Sequence, residues 1–550
     1  MKYSFLSVFL CYFFLAIAQN PMVKQWDRRY GGNYGDGLYS FDRTLDGGFI
    51  LGGVSRSRAG GDRTQENWDT TATANGDYWI VKLDSEGNKY WDRRFGGTDW
   101  DILYSVQQTL DGGYILGGSS NSDNSGDKTE HSWASEDYWI VKLNSAGDKQ
   151  WDKRFGGFFT DRLCSVQQTF DGGYILGGYS ASDSSGDKTQ NSRGGTDYWV
   201  VKVDSNGNKQ WDKRFGGDDN DILHCLTQTL DGGYILGGGS GSGVNGDKTI
   251  GNWGGNNDAD YWVVKLNSGG VKEWDKRYGG TGPDELQVLK QTADNGYIFA
   301  GYSQSGVSGD KTQTRLDINP VHHDLWVIKV DSTGSKQWDT RFGTNDEDDG
   351  VYSVTQTYDG GYLFGGSSYA PVANGDKSEN NLGLEQSWII KTDSLGKKEW
   401  DKTLLTSGHD ELGFAIQLPD ACYAFANTSN GEIGGYKSQG SQGGQDYWII
   451  KFCDSPNALT IIDAKDRMQC HMFPDPFSNE FSIVIRSIKS MNETTFLITN
   501  LLGQPVYGKQ ETNLSNSYIK TLDLSYLPNG IYFLEVIADG ERIVKQLVKQ

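Results

Sequence analysis

Along most of this chain, short apolar runs alternate with polar, Gly-rich turns, and no long apolar stripe recurs at helical spacing. Residues 137–143, DYWIVKL, show the pattern. Strand alternation sets Trp139, Val141 and Leu143 on one face and Tyr138, Ile140 and Lys142 on the other. Both faces carry apolar side chains, which predicts a strand covered on two sides. DILYSVQQT and GYILGGSS precede it and KQWDKRF follows it. The turn DGG (111–113) joins the first two runs and NSAG (144–147) the last two, both of hairpin type. About 20 residues rich in Ser, Asn, Asp and Gly separate the second run from the third.

This group of four recurs. A Trp-Asp pair begins at Trp26, Trp91, Trp151, Trp211, Trp274, Trp338 and Trp400, at intervals of 60–65 residues. A second Trp recurs at 79, 139, 199, 262, 326, 388 and 448, so the two positions hold fourteen of the eighteen tryptophans. Regular recurrence favours inter-blade core over sugar-stacking for these fourteen. Four antiparallel strands repeated seven times predict an all-β, seven-bladed propeller. The last repeat supplies FAIQL, CYAFANTS and DYWIIKF and then lacks its fourth strand, while VKQWDRRY (23–30) precedes the first full repeat. The N-terminal strand is therefore expected to complete the last blade and close the ring, removing an open edge.

The string KLDSEGNKYWDRRFGGTDWD is similar to the secreted bacterial propeller repeat with KLDxxGxxxW…GG…D, and the resemblance covers about residues 23–453. It implies a seven-bladed fold. The WD pair does not make a WD40 repeat, because the period is too long and the Gly-His partner is missing. Beyond it, residues 454–472 read as an irregular linker. The segment 473–550 changes style to alternating strands with turns at Asn529-Gly530 and Asp539-Gly540, expected to form a small Ig-like β-sandwich. This segment closely resembles the type A C-terminal sorting domain of the type IX (Por) secretion system. The resemblance rests on Pro474, Pro476 and Phe477 in PDPF, Gly503 in NLLGQ, Pro528, Gly530 and Tyr532 in LPNGIY, and the terminal VKQLVKQ. PDP stands where that family usually has PNP. The resemblance implies Sec export to the periplasm of a Gram-negative cell, recognition by the type IX machinery, and delivery across the outer membrane for release or surface attachment.

The N-terminus agrees with export. Lys2, the apolar run 5–17 and the small-x-small Ala16-Ile17-Ala18 predict a signal peptide, residues 1–18, cut between Ala18 and Gln19. No other apolar stretch is long enough to span a bilayer, so no transmembrane segment is expected in the mature chain. The net charge of −21 opposes nucleic-acid binding. Five cysteines remain after cleavage (164, 225, 422, 453, 470), with no CxxC or His-rich spacing. A zinc site and a disulfide framework are not expected. One isolated bridge among Cys422, Cys453 and Cys470 stays open.

Candidate chemistry lies on the face that carries the long loops and the blade-to-blade connections. One acid follows the GG of each connection: Asp36, Asp101, Asp161, Asp221, Asp284, Asp349 and Asp410. Another lies in the loop motif GD(K/R)(T/S), at Asp62, Asp127, Asp187, Asp247, Asp310 and Asp376, while the seventh repeat has Gly435-Tyr436 there. Hard oxygen ligands suit calcium, but no complete D-x-D-x-D-G loop is present. The alternative is that each Asp pins its loop through backbone N–H groups, with the neighbouring Lys neutralising the loop acid. Symmetry breaks at His322-His323-Asp324, at His409-Asp410-Glu411 and at 345–349. No G-x-S-x-G elbow, HExxH or P-loop accompanies them, so no catalytic residue is assigned. The sequence thus points to a secreted, non-enzymatic glycan- or protein-binding propeller. A polysaccharide hydrolase or lyase on the same scaffold and a structural surface-layer component are the alternatives.

Overall fold

The computed structural model describes residues 22–69, 75–133, 135–255, 258–317, 319, 321–345, 349–420, 422–454, 468–473, 477, 479–487, 491–500, 504–515, 517–538 and 541–549. The proposed cleavage site at Ala18 and Gln19 lies outside them, as do Pro474, Pro476 and Gly503. Described secondary structure is all β, in seven four-stranded antiparallel sheets followed by a three-stranded and a four-stranded sheet.

Blade one consists of Asp36–Arg43, Phe49–Ser55, Asp77–Leu83 and Lys89–Phe95, innermost strand first. Blades two to six repeat this order. Blade seven takes Asp410–Gln417, Tyr423–Ser429 and Asp446–Asp454 from the end of the repeat array, and Met22–Tyr30 as its outer strand. Asp27 pairs with Ile450 and Tyr30 with Tyr447, so the N-terminal strand closes the ring.

The two faces of each third strand pack against different neighbours. Trp139 is fully buried with Ile50, Tyr78 and Ile80 of blade one, while Tyr138 and Ile140 pack with Leu163 and Trp199 of blade three. Each tyrosine also donates its hydroxyl to the main chain of the next blade, Tyr78 to the Trp139 carbonyl (3.0 Å) and, across the closure, Tyr447 to the Trp79 carbonyl (3.0 Å). The closing seam is therefore packed like the others. Lys142, buried on the same strand, donates to Asp111 of the turn (2.9 Å).

The inner strands surround a central cavity of about 280 Å³ lined by residues such as Val106, Val166, Leu226 and Leu289. In all seven blades the inner strand carries a bulge, with Tyr39, Tyr104, Cys164, His224, Gln287 or Tyr352 as the extra residue in blades one to six and the shift between Glu411 and Phe414 in blade seven. A bulge re-aims the side chain that it leaves unpaired.

In the C-terminal region, Met468–Phe473, Glu480–Ser487 and Ser517–Asp523 form one sheet, and Met491–Asn500, Pro505–Leu514, Gly530–Ala538 and Glu541–Lys549 the other. The two share one core that includes Phe481, Ile483, Phe496 and Leu534. The stretch read as irregular linker thus contributes Met468–Phe473 as a strand, whose partner Glu480–Ser487 fixes it in register. Cys422 and Cys453 form a disulfide within blade seven, while Cys164, Cys225 and Cys470 are free.

Candidate functional site

Long loops and blade-to-blade connections meet on one face, where the Asp127 amide of a long loop donates to the Gly96 carbonyl of the preceding connection (2.8 Å). Just beneath this face runs a buried polar belt. Each inner-strand Asp opens its strand fully buried and accepts from the connection that precedes it. The Gly32, Gly97, Gly157, Gly217 and Gly280 amides reach Asp36, Asp101, Asp161, Asp221 and Asp284 at 2.7 Å each, and the Thr344 amide reaches Asp349 at 2.8 Å. The Ser122 hydroxyl adds a second bond to Asp101 (2.8 Å), and Thr406 donates to Asp410 (2.5 Å).

A second buried aspartate opens the third strand: Asp77, Asp137, Asp197, Asp260, Asp446 and Asp324, the last singled out in the sequence only for the histidines beside it. Each accepts from a long-loop amide, such as that of Trp68 to Asp77 (3.0 Å). The Gly-Gly pair follows from this crowding, since a Cβ on Gly96 would stand 2.3 Å from Asp77 Oδ1 and 3.0 Å from Asp101 Oδ2. Burial drives these acids upward, Asp77 to about 8 and Asp101 to about 6.

Loop aspartates find a different partner from the one expected. Asp127 takes the Arg94 guanidinium of the preceding blade's outer strand at 2.6 Å, and Asp62, Asp187, Asp247 and Asp376 take Arg29, Arg154, Arg214 and Arg341 at 2.5–2.9 Å. Arg277 lies farther from Asp310, at 3.9 Å. The neighbouring lysine instead turns inward and is buried. Lys188 donates to Ser180 (2.8 Å) and the Ser182 carbonyl (2.6 Å), and burial lowers its ammonium to about 8. Among the described residues no three His, Cys, Asp or Glu side chains converge as metal ligands.

Side chains at the bulges, on the adjoining strands and in the connections bring unlike groups together between neighbouring blades. His224 is hydrogen-bonded to Glu285 (2.5 Å), and Tyr302 donates to the other oxygen of that carboxylate. Burial pushes Glu285 up, but the bonds and charge of His224 outweigh it and hold the group low. His323 packs on Tyr302 with ring centres 4.5 Å apart. His409 is hydrogen-bonded to Glu385 (2.5 Å) and lies 3.5 Å from Glu411. Arg162 grips Glu136 through two bonds, at 2.8 and 2.9 Å. The symmetry breaks at His323 and His409 thus belong to these clusters. His322 instead bonds Asp317 within its own loop (2.6 Å), and residues 346–348 fall outside the described residues.

The four tryptophans outside the repeat positions also surface here. Trp68, Trp133 and Trp253 occupy one loop position in blades one, two and four, where each backbone amide caps the third-strand Asp. Each indole donates to the loop Asp of the next blade: Trp68 to Asp127 (2.9 Å), Trp133 to Asp187 (3.4 Å) and Trp253 to Asp310 (3.2 Å). Arg94, Arg154 and Arg277 lie over the three rings at 4.7, 5.1 and 4.6 Å. Trp100, in the connection from blade one, carries Arg56 at 4.5 Å. The available signal was that these four fall outside the count of fourteen.

At the sorting segment, Phe477 is buried against Phe481 (4.9 Å), and its amide donates to the Val548 carbonyl (2.9 Å). Lys549 is buried and donates to the carbonyls of Leu524 and Leu527 at 3.0 and 2.8 Å, and Tyr532 donates to that of Pro528 (2.7 Å). Three of the motifs therefore meet in one place.

Compared with known proteins, residues 471–550 match the family described as secretion system C-terminal sorting domain. Over 164 residues the chain is 27% identical to regulatory protein FlaEY of Caulobacter vibrioides, a match spanning 27% of this chain and 16% of that protein. The chain thus covers under a fifth of that relative. Among solved structures it is similar to BBS1N in its complex with ARL6DN (TM-score 0.39, 8% identity, 80% of this chain and 98% of that one). Phage phi92 endosialidase is another (TM-score 0.37, 8% identity, 81% and 70%). Among the described residues no helix is long and apolar enough to cross a membrane. The chain is a propeller carrying a type IX sorting domain, and hence a cargo of that secretion machinery, exported to the cell surface or beyond.

Proposed function

We propose that the propeller is a non-enzymatic binding module that takes a glycan or protein ligand on its long-loop face. The observation that carries this reading is where the blades differ. Core strands and hairpin turns repeat closely, whereas Trp68, Trp133, Arg193, Trp253, Leu316, Leu382 and Gln442 succeed one another at a single long-loop position. Variation on a constant scaffold is how loops acquire specificity. His224, His409 and Arg162 are each closed on a carboxylate. Such pairs shape a recognition surface, and the inner-strand aspartates serve the loops as pins.

Glu385 and Glu411, both beside His409, favour a second reading as a hydrolase or lyase. One experiment separates the two. The mature chain is incubated with polysaccharides and surface proteins, and the same wells are assayed for bound protein and for new reducing ends. Binding without cleavage is expected. New reducing ends that disappear in Glu411→Gln would replace the binding reading with the catalytic one.

A further inference from the structure

We infer that the long-loop face of blades one to four binds an uncharged polysaccharide, with Trp68, Trp133 and Trp253 as successive stacking platforms; this rests on the binding-module reading above. Three features of the rings support it. They are held before any ligand arrives, each by an indole N–H to a carboxylate and by a guanidinium over the ring, so little side-chain entropy is lost on binding. They nevertheless remain 43%, 41% and 49% exposed, far more than packing residues such as Trp79 or Trp139, which are fully buried. And the rings hold one loop position in blades one, two and four, each bridging to the following blade, so they offer a polymer several contacts along one face.

Trp100 under Arg56, Phe158 beside Trp133 and the exposed Phe159 next to it in the chain add aromatic surface within the same blades. In blade three Arg193 holds the equivalent position and pairs with Asp247 (3.0 Å).

The surroundings narrow the ligand class. The guanidiniums under the rings are neutralised by Asp127, Asp187 and Asp310, and exposed acids such as Asp123 stand in the same loops. The net charge of −21 over the whole chain also disfavours approach of a polyanion. Polar Ser, Asn and Asp residues also separate the rings, unlike the contiguous apolar centre of a protein interface. A sugar ring instead offers an apolar C–H face to an indole and hydroxyls to the polar rim.

The test uses the mature full-length chain on cellulose, xylan, mannan, chitin and β-1,3-glucan, with alginate and polygalacturonate as anionic counterparts. Retention on at least one uncharged polymer is expected, with at least a tenfold loss in W68A/W133A/W253A. The variant W68F/W133F/W253F, which keeps ring stacking, should retain most of the binding, and thermal melts of both variants monitor folding. Wild-type binding to none of the uncharged polymers, binding only to the anionic ones, or undiminished binding by the alanine variant would each overturn the inference. A protein ligand bound in their place would do so while leaving the binding-module reading intact, whereas release of reducing ends would remove that reading itself.

Discussion

Arg94 shows how one side chain is fixed by its neighbours: it pairs with Asp127, lies 3.7 Å from Asp77 and covers Trp68. Removing it as Arg94→Met leaves the Asp127 carboxylate without its cation and should cost about 3 kcal/mol, read by denaturant unfolding. An unfolding curve that overlays the wild type would refute this. The molecule contains its own control at the junction of blades six and seven. There Thr403 stands where Arg94 would, Tyr436 where the loop Asp would, and Gln386 where Asp77 would. Gln386 donates its amide to Asp410 (2.8 Å), and Tyr436 packs on Phe452 (5.1 Å). The ionic set is lost together, which is expected if its members stabilise only jointly. None of this was legible at the level of adjacent residues. The sequence suggests Lys128 as the partner of Asp127, and only the juxtaposition of two blades reveals Arg94, 33 positions away. The belt also predicts a pH dependence. Burial raises Asp77 and Asp349 to about 8 and Asp36, Asp101 and Asp410 to about 6. A carboxyl group raised in the folded state holds its proton there but loses it on unfolding, so its contribution is complete below the unfolded value near 4 and disappears as pH rises through 6 to 8. Melting temperature should therefore fall between pH 5 and pH 8, and fall less in Asp77→Asn; equal slopes for the two proteins would rule out Asp77 as a contributor.

Strands were the most legible elements, because hairpin turns such as DGG interrupt apolar runs at fixed spacing. The inner-strand bulges were not, since one extra residue leaves composition and approximate alternation unchanged, yet bulges bring Tyr39, Tyr104 and Tyr352 to the extra positions. Blade seven departs most from the common plan. Its inner strand has Leu412 at φ 58°, a left-handed conformation costly for a branched side chain, and Pro419 replaces the turn residue that elsewhere donates an amide to the next blade, as Leu45 does to Gln108 (2.7 Å). The receiving position in blade one is Arg43, which has no side-chain acceptor, so donor and acceptor are missing together. The Cys422–Cys453 bridge lies in this same blade and closes a span of 31 residues. Cys422→Ser with Cys453→Ser should lower stability by about 2–4 kcal/mol, checked by melts of the double variant against oxidised wild type. A variant lacking Met22–Tyr30 should lose far more, because it exposes the edge of Asp446–Asp454 and uncovers Trp448, whose indole donates to Asp27 (3.1 Å). An unchanged melt would mean that the ring does not depend on this strand.

For the whole molecule, the route of export was legible because several motifs occur in order near the C-terminus, and Phe477, Lys549, Pro528 and Tyr532 are now seen to converge. The ligand was less legible, since repetition hides four informative tryptophans among eighteen. A chain ending before residue 471 should accumulate inside the cell envelope, measured by fractionation and surface protease access; normal surface delivery would remove the sorting role. The ring closure also sets an order in time. Six blades are built from strands contiguous in the chain, but the outer strand of the seventh meets its partner across 421 residues. A chain emerging from its N-terminus produces that strand first and can use it last. Until then the edge of Asp446–Asp454 that this strand covers is open, and a second copy can pair there in its place. The longer that interval lasts, the more chance two unfinished chains have to exchange this strand, so the yield of closed monomer should fall as expression level rises.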